Sequence, residues 1–271
     1  MKGKRFLSAP VLAVLSSIVF TYYSSIFVFL HDWLNLQSSP GTLNAFIYSL
    51  FASLTLFSFF SCLLSDPGHV PSSYAPDVEF AKDNVEQKKC NKCHAYKPPR
   101  THHCRVCRRC ILKMDHHCLW INNCVGYWNY KAFFVFVLYA TIASIYSMVI
   151  FICSVHHQDW DSIKGSSPLW IFYVTYGLLL FILTITLLTL VGWHVYLILH
   201  NMTTIEYHEG NRAKWLAMKS GQSYRHPYNM GAYKNITLIL GPNMLKWFCP
   251  TAVGHLNPKD GVSFPTLRDN S

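Results

Sequence analysis

Charged residues are missing from four long stretches of this 271-residue chain. Lys, Arg, Asp and Glu are all absent from these stretches, whose approximate bounds are Phe6–Leu30, Leu43–Leu64, Ala132–Ser154 and Leu169–Leu199. A helix needs about 20 apolar residues to cross a bilayer core of about 30 Å, so each stretch is long enough to span a membrane. Charged residues inside membrane spans mark transport paths, and the absence of Lys, Arg, Asp and Glu argues against a transporter.

Basic residues are almost absent from the loops after the first and third spans, which together contain only Lys164. The other 22 of the 23 Lys and Arg residues precede the first span, separate the second from the third, or follow the fourth. The positive-inside rule therefore predicts that this side, with both termini, is cytosolic. The net charge of +10 then reflects topology and contact with anionic lipid rather than nucleic-acid binding. Because no small-residue cleavage site follows the first span, we expect a retained helix and not a signal peptide.

Apolar residues are scarce between Cys90 and Cys124, although seven of the ten cysteines lie there. Structural disulfides are not expected in the reducing cytosol. Paired C-x-x-C turns suit zinc, because one turn points two thiolates at one tetrahedral ion. Such pairs are Cys90/Cys93 and Cys104/Cys107, and Cys107/Cys110 repeats the spacing. Six cysteines and two histidines would fill two closed sites, with zinc supplying the folding energy of a module of short β-hairpins.

One cysteine of this stretch, Cys118, is left over once eight ligands are assigned. It directly follows Asp115, His116 and His117. An adjacent imidazole can activate a thiol, and an aspartate can hold that imidazole in the right tautomer. These residues are so close in sequence that we expect a sharp backbone turn if they act together. The alternative is that Cys118 is another ligand in a differently paired cluster.

Four motifs carry a family resemblance. Asp115-His116-His117-Cys118 lies inside the pattern C-x2-C…H-C-x2-C-x2-C…C, and three further motifs are Asp66-Pro67-Gly68, Thr203-Thr204-Ile205-Glu206, and Asn235 with Gly241. The chain thereby resembles the DHHC family of membrane protein S-acyltransferases over nearly its whole length. Helix termination by Pro and Gly alone could also account for residues 66–68. One departure is Leu119, where the family usually has Pro, and we expect it to alter the local turn without removing activity.

The resemblance implies an all-α polytopic membrane protein, with four transmembrane helices and a cytosolic two-zinc cysteine-rich module of short β-hairpins between helices 2 and 3. It implies an enzyme that moves a long acyl chain, usually palmitoyl, from acyl-CoA to cysteines of cytosolic-face or membrane-associated proteins. Cys118 would carry the acyl group, His116 would be the general base and Asp115 would orient it. The family's zinc pairing gives one structural ion Cys90, Cys93, His103 and Cys110, and the other Cys104, Cys107, His117 and Cys124.

The CoA head group should meet cations. The candidates are Lys97, Arg100 and His102, with Trp120 beside them, and Arg is favoured for forked phosphate contacts. The alternative is that these charges simply face lipid.

Supporting residues are also expected. The second Thr of the family's TTxE motif approaches the motif's Asp, so Thr204 should lie near Asp115, and Asn235 should brace the tail. His194, near the end of the fourth span, is expected to be interfacial rather than catalytic.

The predicted segments are 1–68 with the first two helices, a linker at 69–89, the zinc module at 90–130, two more helices at 131–199, and a tail at 200–271 with a disordered end from 254. Expected partners are acyl-CoA, protein substrates and the bilayer, without nucleic acid, in endomembranes such as the Golgi. A membrane-anchored zinc adaptor would need no nucleophile, and a nucleic-acid-binding finger would need a long ligand-free helical segment. Acylation of the purified protein by acyl-CoA would separate the enzyme from these and from a transporter.

Overall fold

Long helices make up most of the chain in the computed structural model, which describes residues 8–75, 89–158, 167–256 and 261–267. The helices are α1 (Ala9–Tyr23), α2 (His31–Leu34), α3 (Ser39–Leu64), α4 (Tyr130–His157), α5 (Ser167–His200), α6 (Thr204–Lys219) and α7 (Ala232–Leu240). A π-helical segment, Ser24–Leu30, joins α1 to α2, and a 3-10 turn covers Met244–Lys246. The strands are β1 (Lys89–Cys90), β2 (Ala95–Tyr96), β3 (His102–Cys104), β4 (Arg109–Ile111), β5 (His116–Cys118) and β6 (Asn123–Val125).

Four helical stretches are long and apolar enough to cross a membrane: Ala9–Leu34, Ser39–Leu64, Tyr130–His157 and Pro168–His200. The six short strands and two Cys/His clusters lie between the second and third of them, which confirms the predicted fold class. The start of the predicted first span, most of the predicted linker at 69–89 and the loop with Lys164 lie outside the described residues.

The chain divides into two compact units, each made of two segments. One comprises Met1–Phe59 and Phe134–Trp193, and the other comprises Phe60–Phe133 and His194–Ser271. Because every motif of the sequence analysis falls between residues 66 and 241, and none falls between 134 and 193, all of them belong to the second unit.

Aromatic side chains form the core of the first unit. The Phe29 side chain is completely buried. Its ring centroid lies 4.7 Å from that of Tyr176, 5.0 Å from Phe151 and 5.3 Å from Tyr173. Tilted and edge-on contacts at these separations add to the stabilisation from burial alone. Gly177 of α5 lies against this cluster, and a Cβ atom placed there would be 2.7 Å from the Phe151 ring.

Three two-stranded antiparallel sheets, β1–β2, β3–β4 and β5–β6, form the centre of the second unit. The motif at 66–68 is fastened to them. The Leu112 N–H donates to the Gly68 carbonyl at 3.2 Å, while the Asp66 carboxylate accepts from the Gly68 N–H at 2.8 Å and from Arg109 Nη1 at 3.0 Å. The motif therefore does more than end a helix, because it holds the end of α3 against the β-hairpins.

Asn123 makes a second connection to the end of α3. Its amide Nδ2 lies 2.9 Å from the Ser65 carbonyl oxygen, 3.3 Å from that of Cys62 and 3.5 Å from that of Leu63. The last carbonyls of a helix have no partner within it, so this amide supplies what the helix lacks. The Asn123 Oδ1 in turn accepts the Cys124 N–H at 3.0 Å, which ties the helix end to strand β6.

The tail is anchored by two buried polar side chains. Lys131 is 2% exposed, and its Nζ donates to the carbonyls of Leu240 and Ala252 at 2.8 Å each. Asn235 is completely buried in α7 and donates to the Leu199 carbonyl at 2.7 Å. Asn235 thus braces the tail, as the sequence analysis expects.

Part of the predicted disordered end is ordered and packs within the second unit. Gly261 is buried, the Phe264 ring lies 5.0 Å from the Arg100 guanidinium, and the Leu267 N–H donates to the Pro227 carbonyl at 3.0 Å. The expectation of disorder from residue 254 is therefore wrong for residues 261–267. An aromatic face covers a cation there, a contact that local composition does not reveal.

We expect Gly177→Ala to lower the free energy of unfolding of the purified protein by about 1–3 kcal/mol, because the new methyl group overpacks against Phe151. Gly192→Ala in the same helix is the control, since no described atom lies within 4 Å of a Cβ built there. Thermal unfolding in detergent would compare them. Equal midpoints for the two variants would contradict the packing assigned to Gly177.

Candidate active site and metal clusters

Eight cysteine and histidine side chains converge in two groups of four. The groups are Cys90, Cys93, His103 and Cys110, and Cys104, Cys107, His117 and Cys124, and in each group the ligand atoms all lie within 4.8 Å of one another. In the second group, Cys107 Sγ lies 3.5 Å from His117 Nδ1 and 3.4 Å from Cys124 Sγ. Tetrahedral zinc with bonds of about 2.0–2.3 Å would place its ligand atoms about 3.3–3.8 Å apart, so composition and spacing both fit one ion per group.

Hairpin register brings the ligands of each group together. His103 lies directly opposite Cys110 across β3–β4, and His117 lies directly opposite Cys124 across β5–β6. The first Cys-x-x-Cys turn ends at His94, which takes a left-handed backbone with φ of 53°. The two groups are those implied by the family resemblance. Cys118 belongs to neither group, so the described residues do not support its assignment as a ligand.

Strand β5 directs His117, a residue of the second metal group, to one side and His116 and Cys118 to the other. Successive side chains of a strand point to opposite faces, so His116 and Cys118 share one face while His117 points to the other. The expected sharp turn is therefore wrong. An extended strand is enough, because alternation places every second residue on the same side.

Asp115, which directly precedes β5, forms a close pair with His116. Asp115 is completely buried, and its Oδ2 accepts from His116 Nδ1 at 2.7 Å. Burial lowers the pKa of His116, but hydrogen bonding to Asp115 and to Cys118 raises it to about 9. Burial raises the pKa of Asp115, yet the His116 hydrogen bond and charge hold that pKa below its usual value. The arrangement joins a carboxylate, an imidazole and a thiol in series.

Thr204 holds Asp115 from the tail, as predicted. Its N–H donates to Asp115 Oδ1 and its hydroxyl donates to Asp115 Oδ2, both at 2.9 Å. Thr203 caps α6 in a capping box with Glu206, whose carboxylate accepts the Thr203 N–H at 2.9 Å. The box fixes the first turn of α6, and this turn presents Thr204 to the carboxylate.

Arg100 is not available for CoA, which corrects its assignment. Its side chain is 1% exposed and is forked onto Glu206, with Nε 2.6 Å from Oε1 and Nη2 2.7 Å from Oε2. The rings of Tyr228 and Phe264 lie 4.4 and 5.0 Å from the guanidinium carbon. Burial raises the pKa of Glu206, but the Arg100 charge holds it below its usual value. The fork geometry suited to phosphate is here used for a carboxylate.

The other predicted CoA contacts remain predictions. Lys97 and His102 are half-buried, and Trp120 is 57% exposed next to Leu119 at the tip of the β5–β6 hairpin. The tip is a tight turn in which the Asn122 N–H donates to the Leu119 carbonyl at 3.1 Å.

His194, near the end of α5, is a buried residue beside the candidate site. It is 1% exposed, and its Nδ1 lies 3.0 Å from the Tyr130 hydroxyl. Its ring centroid is 6.2 Å from that of His116. His194 is therefore buried inside the protein, and its position relative to the membrane interface stays a prediction. No local signal could have revealed this burial, because it depends on α5 lying beside both β5 and the start of α4.

We expect His117→Ala to lose one of the two metal ions and to unfold part of the module, whereas His116→Ala keeps both. The reason is that His117 Nδ1 lies 3.5–3.7 Å from the three thiols of its group, whereas His116 belongs to neither group. Zinc analysis of the purified variants by mass spectrometry measures this. Retention of two ions by both variants would overturn the ligand assignment.

We expect Glu206→Gln to lower stability by about 3–5 kcal/mol, because it leaves the buried Arg100 charge without its partner. Glu209→Gln is the matched control, since Glu209 lies exposed on the same helix. Thermal unfolding at neutral pH compares the two. If Glu206→Gln unfolded at the same temperature as the control, the buried pair would not stabilise the tail.

Comparison with known proteins agrees with this geometry. The family model described as DHHC palmitoyltransferase matches residues 83–211. The chain is 61% identical to "Probable protein S-acyltransferase 15" of Arabidopsis thaliana over 255 residues, covering 93% of this chain and 99% of that protein. It is 50% identical to "Probable protein S-acyltransferase 16" of the same species, covering 99% and 96%. Identity to "Palmitoyltransferase ZDHHC3" of Homo sapiens is 35%, covering 70% and 68%. The chain therefore belongs to the DHHC palmitoyltransferase family.

Proposed function

We propose that this chain is a protein S-acyltransferase that moves a long acyl chain, usually palmitoyl, from acyl-CoA to cysteines of proteins at the cytosolic membrane face. One observation carries the proposal. Cys118 is the cysteine of the module that stands outside both metal groups, and it shares a face of β5 with His116, which is paired with Asp115. Family membership supports the same reaction class.

Two zinc ions would occupy the Cys/His groups and stabilise the fold of the module. Each group offers four protein ligands and so leaves no open position for a substrate or a water molecule. The protein's own side chains must therefore provide the acid, the base and the nucleophile.

The first half-reaction is acylation of Cys118. His116 accepts the thiol proton, and the Cys118 sulfur attacks the thioester carbonyl carbon of acyl-CoA. The carbonyl re-forms as the bond to the CoA sulfur breaks, and the CoA thiolate takes the proton from His116. Asp115, held by Thr204, keeps His116 Nδ1–H engaged so that the other ring nitrogen faces the thiol.

The second half-reaction transfers the acyl group. His116 accepts the proton of the substrate's cysteine, and that thiolate attacks the acyl-Cys118 carbonyl. The thioester of Cys118 breaks, the new thioester forms on the substrate, and the Cys118 sulfur recovers the proton. Acyl-CoA and the protein substrate thus react in turn with one nucleophile.

Binding of acyl-CoA would use Lys97, His102 and Trp120, now without Arg100. The positive-inside pattern supports a cytosolic module and cytosolic termini, and the four apolar helices support a multi-pass membrane protein. Endomembranes such as the Golgi are the proposed setting.

The proposed function predicts that purified protein incubated with radiolabelled palmitoyl-CoA acquires a hydroxylamine-sensitive label that Cys118→Ser abolishes. Cys249→Ser is the control, because Cys249 lies in the tail outside the module and should leave labelling intact. Zinc content should equal that of the wild type in both variants. Labelling that survives in Cys118→Ser, or loss of zinc from it, would refute the assigned nucleophile.

A further inference from the structure

A second imidazole lies behind the catalytic pair. His194 is 1% exposed, and Tyr130, whose hydroxyl is 3.0 Å from His194 Nδ1, is 8% exposed. A buried phenol and a buried imidazole that satisfy each other form a strong and directional contact. Neither residue belongs to a metal group or to the reaction steps described above.

Phe133 connects this buried pair to His116. It lies one turn along α4 from Tyr130, on the same side of the helix. Its ring meets that of His116 edge-on at 5.2 Å and that of His194 edge-on at 5.0 Å. Phe133 and His194 together form a wall along one side of the His116 ring.

Direct proton exchange between the two histidines does not fit the geometry. The ring centroids are 6.2 Å apart. Ring nitrogens lie only about 1.1 Å from their centroid, so they remain beyond hydrogen-bond distance of each other. His194 must therefore act through the position of the His116 ring.

We propose that His194 is a positioning residue for His116, an inference that rests on the proposed function. Asp115 fixes one edge of the His116 ring through Nδ1. Phe133 and His194 block rotation of the ring to one side, and the Tyr130 hydroxyl keeps the His194 ring from turning out of the wall. The direction left open is that of Cys118, which lies on the same face of β5.

This role explains why position 194 holds a histidine and not a phenylalanine of similar shape. Only a ring with a nitrogen can bond the Tyr130 hydroxyl. A phenyl ring would fill the space but would leave that buried hydroxyl without its hydrogen-bond partner, which is unfavourable. The wall would then be free to shift.

The test compares His194→Phe, Tyr130→Phe and their combination for the rate of Cys118 acylation by palmitoyl-CoA. Each single variant should slow acylation by about tenfold or more, because small displacements of a reacting group carry large rate penalties. Half-saturation by palmitoyl-CoA should not change, because neither residue contacts CoA in this proposal. The double variant should be no slower than the slower single one, since both remove the same hydrogen bond.

Two further variants separate positioning from simple packing. His194→Asn places an amide oxygen near the site of Nδ1, keeps a partner for the Tyr130 hydroxyl without the full ring, and should acylate faster than His194→Phe. Tyr196→Phe also removes a tyrosine hydroxyl, but from a half-exposed position on α5, and should have no effect. Zinc content and unfolding temperature verify that each variant is folded.

The proposal is overturned if His194→Phe or Tyr130→Phe acylates within twofold of the wild type, or if their losses multiply. It is also overturned if His194→Asn is as slow as His194→Phe. Failure of the proposed function is distinguishable, because wild-type protein would then acquire no label. If His194→Phe does not fold, Tyr130→Phe and His194→Asn still decide the question.

Discussion

The alternation of side chains along β5 is the constraint on which the rest of the site depends. Three consecutive residues of one short strand meet two different needs, because His117 must reach a metal group while His116 and Cys118 face the other way. The metal-ligand group on one face holds the strand, and the strand places His116 and Cys118, the proposed base and nucleophile, on the other face at the spacing of alternate residues. A helix or a loose loop could not divide adjacent residues so cleanly.

The same site depends on a chain of buried polar contacts that begins far away in sequence. Arg100 and Glu206 form an ion pair inside the protein, and Glu206 also closes the capping box of α6 with Thr203. Thr204, which directly follows Thr203, holds Asp115. Burying the two charges costs desolvation free energy, so we interpret the role of the pair as fixing the geometry of the elements that it joins. It brings the zinc module and the first turn of α6 into one fixed arrangement. The motif Thr203–Glu206 thus holds Asp115 in place through the first turn of α6.

Much of this architecture could be predicted from sequence, since its signals are local or periodic. Apolar length gives the four spans, and cysteine spacing gives a module that can bind two metal ions. The family resemblance gives the division of the ligands into two groups and the contact of Thr204 with Asp115. The features that the sequence does not reveal depend on tertiary packing. The burial of Arg100 requires a glutamate 106 residues away, and that of His194 requires the start of another helix. The sharp turn expected at Cys118 failed because spacing alone does not reveal a strand.

The amide of Asn123 makes the end of α3 depend on strand β6. The final carbonyls of α3 emerge from an apolar span without partners in their own helix, and Asn123 reaches them only when β6 is in place beside the ligand Cys124. The end of α3 and the ligand Cys124 are therefore coupled, because any change that displaces β6, such as loss of that cysteine, also removes the partner of the last carbonyls of the helix.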